Sequence, residues 1–176
     1  MGTGTLHIDL SALVENWHAL DRQTATQTGA VVKADGYGLG AGRVAKALAG
    51  AGVRTFFVAA TEEVAALRAS LGPDPVIYVF SGHMDSDTQA LSDLSAVPLL
   101  NSPEQIARHQ ERLPDHPFGL QLDTGMNRLG IEATDWSPDM SQEASLVMSH
   151  LACADEAAHE GNKSQLKAFL EMTAGI

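Results

Sequence analysis

Short apolar runs recur along the chain at nearly even intervals, and most are rich in β-branched or aromatic side chains. Each run is continuous rather than alternating with polar residues, which is typical of strands buried on both faces, as in parallel sheets. These runs predict strands over residues 30–32, 54–58, 75–80, 96–100, 118–122 and 144–148.

Helical patterns fill the intervals between these runs. Ser11 is expected to cap the first helix, because its hydroxyl can accept a hydrogen bond from a backbone N–H in the first turn. Ser102, Pro103 and Gln105 predict a second helix start, with a serine cap, proline in the first turn and a capping box. Other helices are predicted over 43–48, over 64–68 with Thr61, Glu62 and Glu63 at its start, over 85–94 and over 163–172.

The alternation of strands and helices indicates βαβ units. Two architectures remain open, a doubly wound open sheet and a (β/α)8 barrel. A barrel uses about 250 residues for eight units, so a chain of this length corresponds to about five to six of them. The residues after the first predicted strand do not form the Gly-x-Gly-x-x-Gly pattern of dinucleotide-binding sheets. We therefore predict an α/β fold, a TIM-type barrel truncated after about six βα units, with residues 1–176 as one incomplete domain.

Composition narrows the classes of partner. Lys and Arg number 11 against 22 Asp and Glu, so the formal net charge is −11. This charge argues against a nucleic-acid partner and against binding to anionic lipid, since both need a basic surface. Cys153 is the only cysteine, which excludes a disulfide framework and fits a reducing compartment. The sequence shows neither a secretory signal nor a membrane-spanning stretch, so we expect a cytoplasmic protein.

The carboxyl ends of barrel strands are where catalytic groups gather. Lys33 directly follows the first predicted strand, where partial burial would favour the neutral, nucleophilic amine. The alternative is that Lys33 forms an ion pair with Asp35 or Asp123. Tyr37 lies among Gly36, Gly38 and Gly40, a turn that suits close approach of an anion and equally suits an ordinary tight βα turn.

Two further strand ends carry candidate groups. Arg128 follows the fifth predicted strand and could grip a carboxylate or a phenolate, or could pair with Asp123 or Glu132. The sixth strand is followed by a set of residues that could suggest a metal site or a thiol nucleophile. Their spacing matches no closed zinc pattern, and a lone cysteine is more often a small buried side chain, so we predict no metal. The set comprises His150, Cys153, Asp155, Glu156 and His159.

The residues around Lys33 also carry a resemblance. Residues 32–40, VKADGYGLG, resemble the motif that contains the pyridoxal-phosphate lysine of alanine racemases. Four more segments resemble that family in the same order along the chain: residues 6–13, 58–63, 122–130 and 149–156.

The resemblance implies an N-terminal barrel that binds pyridoxal 5′-phosphate and interconverts L- and D-alanine. It implies that Lys33 holds the cofactor as a Schiff base and acts as one of two racemisation bases. Tyr37 would contact the cofactor phosphate. Arg128 would contact the phenolic oxygen of the cofactor and the substrate carboxylate, and His150 would lie beside the pyridine ring. Gln121 stands where many members carry a lysine that orients this arginine, and its amide can hydrogen-bond Arg128.

The family likeness further implies a homodimer. In the family a C-terminal β domain, which is not part of these 176 residues, supplies a tyrosine from the partner subunit as the second base. Three interpretations follow. The chain is an alanine racemase N-terminal portion that works beside its complementary C-terminal segment, a single-domain barrel that carries the cofactor without racemising anything, or a structural fragment.

Overall fold

The computed structural model describes residues 4–176 and contains six strands with helices between them. The strands are β1 (Ala30–Val31), β2 (Thr55–Val58), β3 (Val76–Val79), β4 (Val97–Leu100), β5 (Gly119–Leu122) and β6 (Val147–Ser149). The helices are α1 (Leu10–Asp21), α2 (Ala41–Ala51), α3 (Val64–Leu71), α4 (Thr88–Asp93), α5 (Pro103–Arg112) and α6 (Glu160–Met172). Two 3-10 turns, Thr61–Glu63 and Pro138–Ser141, precede α3 and β6.

Strand order in the sheet is the order along the chain, β1 to β6. The pairings β1–β2, β4–β5 and β5–β6 are parallel, with Ala30 opposite Phe56 and Leu120 opposite Val147. A dinucleotide-binding doubly wound sheet would instead place the first strand beside the fourth. The sequential order is the order of a (β/α)8 barrel.

The described chain divides into two compact units. The first comprises residues 4–78 with Leu94–Ala96, and its core is built from one face of α2 and α3 against β2. The second comprises Val79–Asp93 and Val97–Ile176. Its core contains the inward side chains of β4, β5 and α5, with Phe169 and Met172 of α6 packed against them. All four residues of β4 and of β5 are buried, as their continuous apolar runs predict.

Each predicted strand is present, and the sixth lies further along the chain than predicted. Residues 144–146 precede β6, where the N–H of Ser145 donates to the oxygen of Phe118 at 2.8 Å. Apolar residues in this stretch are therefore packed beside β5 before the regular ladder of β6 begins at Val147.

Three predicted helix starts differ in detail. Asp9, not Ser11, caps α1, since its Oδ1 accepts from the N–H groups of Ser11 and Ala12 at 2.9 and 3.0 Å. The Oγ of Ser102 caps α5 as predicted, but the predicted capping box is wrong. Gln105 Oε1 accepts from the N–H of Asn101, one residue before the cap, at 3.0 Å.

The third difference concerns α3. The carboxylate of Glu63 does not simply face the first turn of the helix. It reaches instead to backbone N–H groups at the ends of β1 and β2.

Candidate active site

A left-handed turn follows β1, and Lys33 is its first residue. Val32 still belongs to the sheet, because its N–H donates to the oxygen of Phe57 at 2.9 Å. After Lys33, four consecutive residues have positive φ: Ala34 at 51°, Asp35 at 53°, Gly36 at 63° and Tyr37 at 56°. We call Lys33–Tyr37 the Lys33 turn.

The Lys33 turn is an unusual conformation for L-amino acids. A left-handed residue other than glycine costs about 1–2 kcal/mol, because Cβ crowds the following carbonyl oxygen. Gly36 suits this turn, since a Cβ there would lie 3.2 Å from the backbone of Ala41, a close contact added to the strain of positive φ. Backbone hydrogen bonds hold the turn from within, with the N–H of Gly36 donating to the oxygen of Val32 at 2.9 Å. Such strain persists where the surrounding structure over-determines it, commonly at functional sites.

Two carboxylates, Glu63 from outside and Asp35 from the turn itself, connect the Lys33 turn to its neighbours. Glu63 Oε1 accepts from the N–H of Ala34 at 2.6 Å, and Glu63 Oε2 accepts from the N–H of Ala59 at 2.7 Å. Asp35 Oδ1 accepts from the N–H of Ala41 at 2.7 Å, at the start of α2. The role of Glu63 was missed in the sequence analysis. The available signal was an acid that follows β2 closely, at the same end of the sheet as the residues after β1.

Lys33 and Tyr37 lie together in the turn. The Nζ of Lys33 is 5.9 Å from the centre of the Tyr37 ring, within cation–π range. Lys33 is half-buried, whereas Tyr37 is 63% exposed and presents its ring to solvent. A Cβ at Gly38 would meet nothing within 4 Å, so open space adjoins the turn.

The loop after β5 is organised by Asp123. Its Oδ1 accepts from the N–H groups of Gly125, Met126 and Asn127 at 2.9, 3.0 and 3.1 Å. Asp35 and Asp123, the two acids considered as ion-pair partners of Lys33, thus each accept hydrogen bonds from their own loop.

Arg128 is exposed at the far side of this loop. Within residues 4–176 its guanidinium takes part in no hydrogen bond or ion pair. The alternative pairing of Arg128 with Asp123 or Glu132 is therefore wrong. A guanidinium presented to solvent in this way is free to bind a carboxylate or phenolate in a bidentate manner.

Gln121 is buried in β5, and its side-chain amide bonds to the backbone of the loop after β5. Its Nε2 donates to the backbone oxygen of Leu129, the residue after Arg128, at 3.1 Å. The expected hydrogen bond between the Gln121 amide and Arg128 is thus replaced by a bond to the loop backbone. The backbone of Gln121 also accepts from the N–H of Ile131 at 2.8 Å, which closes the loop.

His150 follows β6 in a polar network that also includes residues of β6 and α6. Gln165 of α6 is buried, and its Nε2 donates to the backbone oxygen of His150 at 2.9 Å and to Thr124 Oγ1 at 3.2 Å. Thr124 and Ser149 share a hydrogen bond of 2.7 Å. Gln165 thereby ties the ends of β5 and β6 to α6, a role that nothing in its sequence context indicates.

A groove of about 380 Å³ opens beside this network. Its walls combine the polar Thr124, Ser149 and Gln165 with the apolar Leu151 and Phe169. Among the described residues, His, Cys, Asp and Glu side chains do not gather in groups of three that could hold a metal ion. His159 has another role, since its Nδ1 accepts from the N–H of Gly161 at 3.0 Å and caps α6.

Comparison with known proteins identifies the same family that the sequence motifs resemble. The family profile described as "Alanine racemase, N-terminal domain" matches residues 8–176. The chain belongs to the alanine racemase family. The alanine racemase of Dinoroseobacter shibae is 59% identical over 182 residues, which cover 100% of this chain and 52% of that protein. The chain thus spans about half the length of the relatives it matches.

Solved alanine racemase structures share the fold. The enzyme from Bartonella henselae, solved with covalently bound pyridoxal phosphate, is 36% identical and superposes with a TM-score of 0.87. That match covers 95% of this chain and 50% of the other. The alanine racemase of Streptomyces coelicolor A3(2) is 30% identical over 95% of this chain and 49% of its own, with a TM-score of 0.82. The predicted truncated barrel is thereby confirmed.

Lys33 and Tyr37 lie in the first unit, and Arg128 and His150 lie in the second. Each of the four follows the carboxyl end of a strand: β1 for the first pair, β5 for Arg128 and β6 for His150. Their roles stay a prediction. None of the helices in residues 4–176 is long and apolar enough to cross a membrane.

Proposed function

We propose that this chain is the cofactor-binding portion of an enzyme that interconverts L- and D-alanine with pyridoxal 5′-phosphate. The observation that carries the proposal is Lys33, a half-buried amine at the start of a strained turn after β1, in a chain of the alanine racemase family. The named substrate and cofactor of the relatives support alanine and pyridoxal phosphate as its ligands.

The chemistry of the available donors fits this cofactor. Lys33 offers an amine for the aldehyde, and Tyr37 offers an exposed phenol for the phosphate beside the open space at Gly38. Arg128 offers a guanidinium that is exposed and without an ion pair in residues 4–176, which suits the phenolic oxygen of the cofactor and the substrate carboxylate. His150 is proposed to lie beside the pyridine ring.

In the proposed mechanism, Lys33 has two tasks. Its amine would hold the cofactor covalently, and with substrate bound the same amine would move the α-proton on one face of the substrate. When bound, pyridoxal phosphate supplies an electron sink that makes the α-proton of the amino acid acidic. Arg128 is proposed to bind the substrate by its carboxylate.

Racemisation requires a base on the opposite face as well. We propose that this base comes from outside the present 176 residues, from the partner subunit of a homodimer. The complete enzyme is proposed to act in the cytoplasm, with 1–176 as its barrel portion.

Exchange of the alanine α-proton tests the proposal. In D2O with added pyridoxal 5′-phosphate, we expect the protein together with its C-terminal segment to incorporate deuterium at the α-carbon of alanine. Lys33→Ala abolishes the exchange, whereas Lys46→Ala, an exposed lysine on α2, leaves it unchanged. Cofactor binding without exchange would favour a non-catalytic carrier. Exchange that survives Lys33→Ala would refute the proposed base.

A further inference from the structure

The Lys33 turn depends on contacts outside itself. Ala34, Asp35 and Tyr37 are not glycine, yet all three have the positive φ of the left-handed region. L-residues leave this conformation unless neighbouring groups hold them in it. The first of these residues, Ala34, directly follows Lys33, and its N–H belongs to the peptide group that links the two residues, so a partner of this N–H also restrains the backbone of Lys33.

Glu63 is the side chain that holds Ala34. Its Oε1 accepts from the N–H of Ala34 at 2.6 Å while its Oε2 accepts from the N–H of Ala59, just after β2, at 2.7 Å. One carboxylate thereby joins the ends of two neighbouring strands. Both bonds are short and charge-assisted, a class about twice as strong as neutral hydrogen bonds.

We infer that Glu63 is a positioning residue for Lys33. By fixing the N–H of Ala34, it holds the peptide group between Lys33 and Ala34, and through the backbone of Lys33 it positions the lysine side chain. Glu63 contacts only backbone groups in this network, so it acts through Lys33 and not on substrate. The inference rests on the proposed function only in making Lys33 the reactive lysine.

The variant Glu63→Gln tests the inference with little change in size. An amide has one acceptor oxygen in place of two, so one of the two N–H groups loses its partner. The neighbouring variant Glu62→Gln is the matched control, because Glu62 is exposed.

The first measurement is amide hydrogen exchange, which needs no cofactor. We expect exchange at Ala34 or Ala59 to accelerate about tenfold in Glu63→Gln, the scale for loss of one charge-assisted hydrogen bond. Exchange at Val32 and in Glu62→Gln should stay as in the parent protein. Unchanged exchange at both Ala34 and Ala59 would overturn the inference.

The second measurement is the reactivity of Lys33. With pyridoxal 5′-phosphate, we expect the covalent lysine adduct to form about tenfold more slowly in Glu63→Gln. The acylation rate of Lys33 by acetic anhydride, compared with Lys46 by peptide mass spectrometry, should shift in the same variant. If the amides exchange faster while both lysine readouts stay unchanged, Glu63 is merely structural and the inference is wrong.

Rescue separates positioning from general destabilisation. Glycine adopts the left-handed region freely, so in an Ala34→Gly background the turn depends less on Glu63. Glu63→Gln should therefore slow Lys33 chemistry less in that background than in the parent, and equal slowing in both would overturn the inference. If the parent forms no cofactor adduct, the proposed function fails, while the exchange and acylation measurements still decide the role of Glu63.

Discussion

At the scale of single residues, glycines divide into those that face open space and those that other backbone surrounds. Gly130 closes the loop that carries Arg128 and has φ of 121°. A Cβ there would lie 2.5 Å from the backbone nitrogen of Asp123 and 2.7 Å from the carbonyl carbon of Leu122. Gly50, near the end of α2, would meet nothing within 4 Å.

These two glycines predict opposite effects of the same substitution. Gly130→Ala should lower the free energy of unfolding by about 1–3 kcal/mol, because both backbone strain and contact with β5 oppose the methyl group. Gly50→Ala should raise it by about 0.5–1 kcal/mol through helix propensity. Urea denaturation measures both. Equal stability of the two variants would contradict the close packing of this loop.

Some features of single residues could be predicted from the sequence and others could not. Lys33, Tyr37, Arg128 and His150 were identified because they follow predicted strands and lie in motifs with a family resemblance. The left-handed geometry of Ala34 and its neighbours could not be predicted, since it contradicts their intrinsic preferences and is held in part by a contact distant in sequence, the carboxylate of Glu63.

At the scale of elements, a chain of hydrogen bonds joins the segment after β3 to α4 and α5. His109 Nε2 donates to the backbone oxygen of His116 at 2.9 Å, so the Nδ1 of neutral His109 is an acceptor. That nitrogen lies 3.2 Å from His83 Nδ1, which therefore donates. His83 Nε2 then accepts from Thr88 Oγ1 at 2.8 Å. Two neutral imidazoles satisfy this arrangement.

Burial, followed by the nearby His109 and Arg108, lowers the pKa of His83 to about 4. Burial also lowers the pKa of His109. An unfolded histidine takes up its proton near pH 6.5, so below that pH the unfolded chain binds more protons than the folded one. The stabilising contribution is therefore complete above about pH 6.5 and is lost as pH falls towards 4.

The histidine chain predicts acid sensitivity. Each pKa unit corresponds to about 1.4 kcal/mol. The lowered pKa of His83 should therefore reduce the free energy of unfolding by about 3 kcal/mol between pH 7 and pH 4. In His83→Gln, stability at pH 7 is lower and the fall is smaller. In His7→Gln, a change at an exposed position, the free energy of unfolding should decrease between pH 7 and pH 4 as much as in the parent protein. Urea denaturation across this pH range is the measurement, and a fall of equal size in His83→Gln would contradict the assignment.

The elements themselves were largely predictable. Six continuous apolar runs coincide with six strands. Burial along the whole strand, the reason for expecting such runs, is found in β4 and β5, whereas burial alternates in β2 and the residues of β6 are half-buried. The residues at which the elements begin and end were less predictable. Asp9 and Ser11 are both competent caps, and their choice depends on where the chain enters α1. Gln105 has an alternative acceptor role with Asn101 that its spacing from Ser102 does not reveal.

At the scale of the whole molecule, the chain combines an acidic net charge of −11 with a set of basic and phenolic groups at the carboxyl ends of strands. The order of the strands, the profile match over residues 8–176 and the shared fold with solved alanine racemases agree with one another. The central proposal is chemical: of the four lysines in the chain, Lys33 alone is expected to carry the cofactor.

The most direct test is to incubate the protein with pyridoxal 5′-phosphate, reduce the mixture with borohydride and map the modified peptides by mass spectrometry. The account predicts one stably modified lysine, Lys33, with a visible absorbance band before reduction that Lys33→Ala removes and Lys46→Ala retains. Modification spread over Lys46, Lys163 and Lys167, or a band that persists in Lys33→Ala, would contradict it.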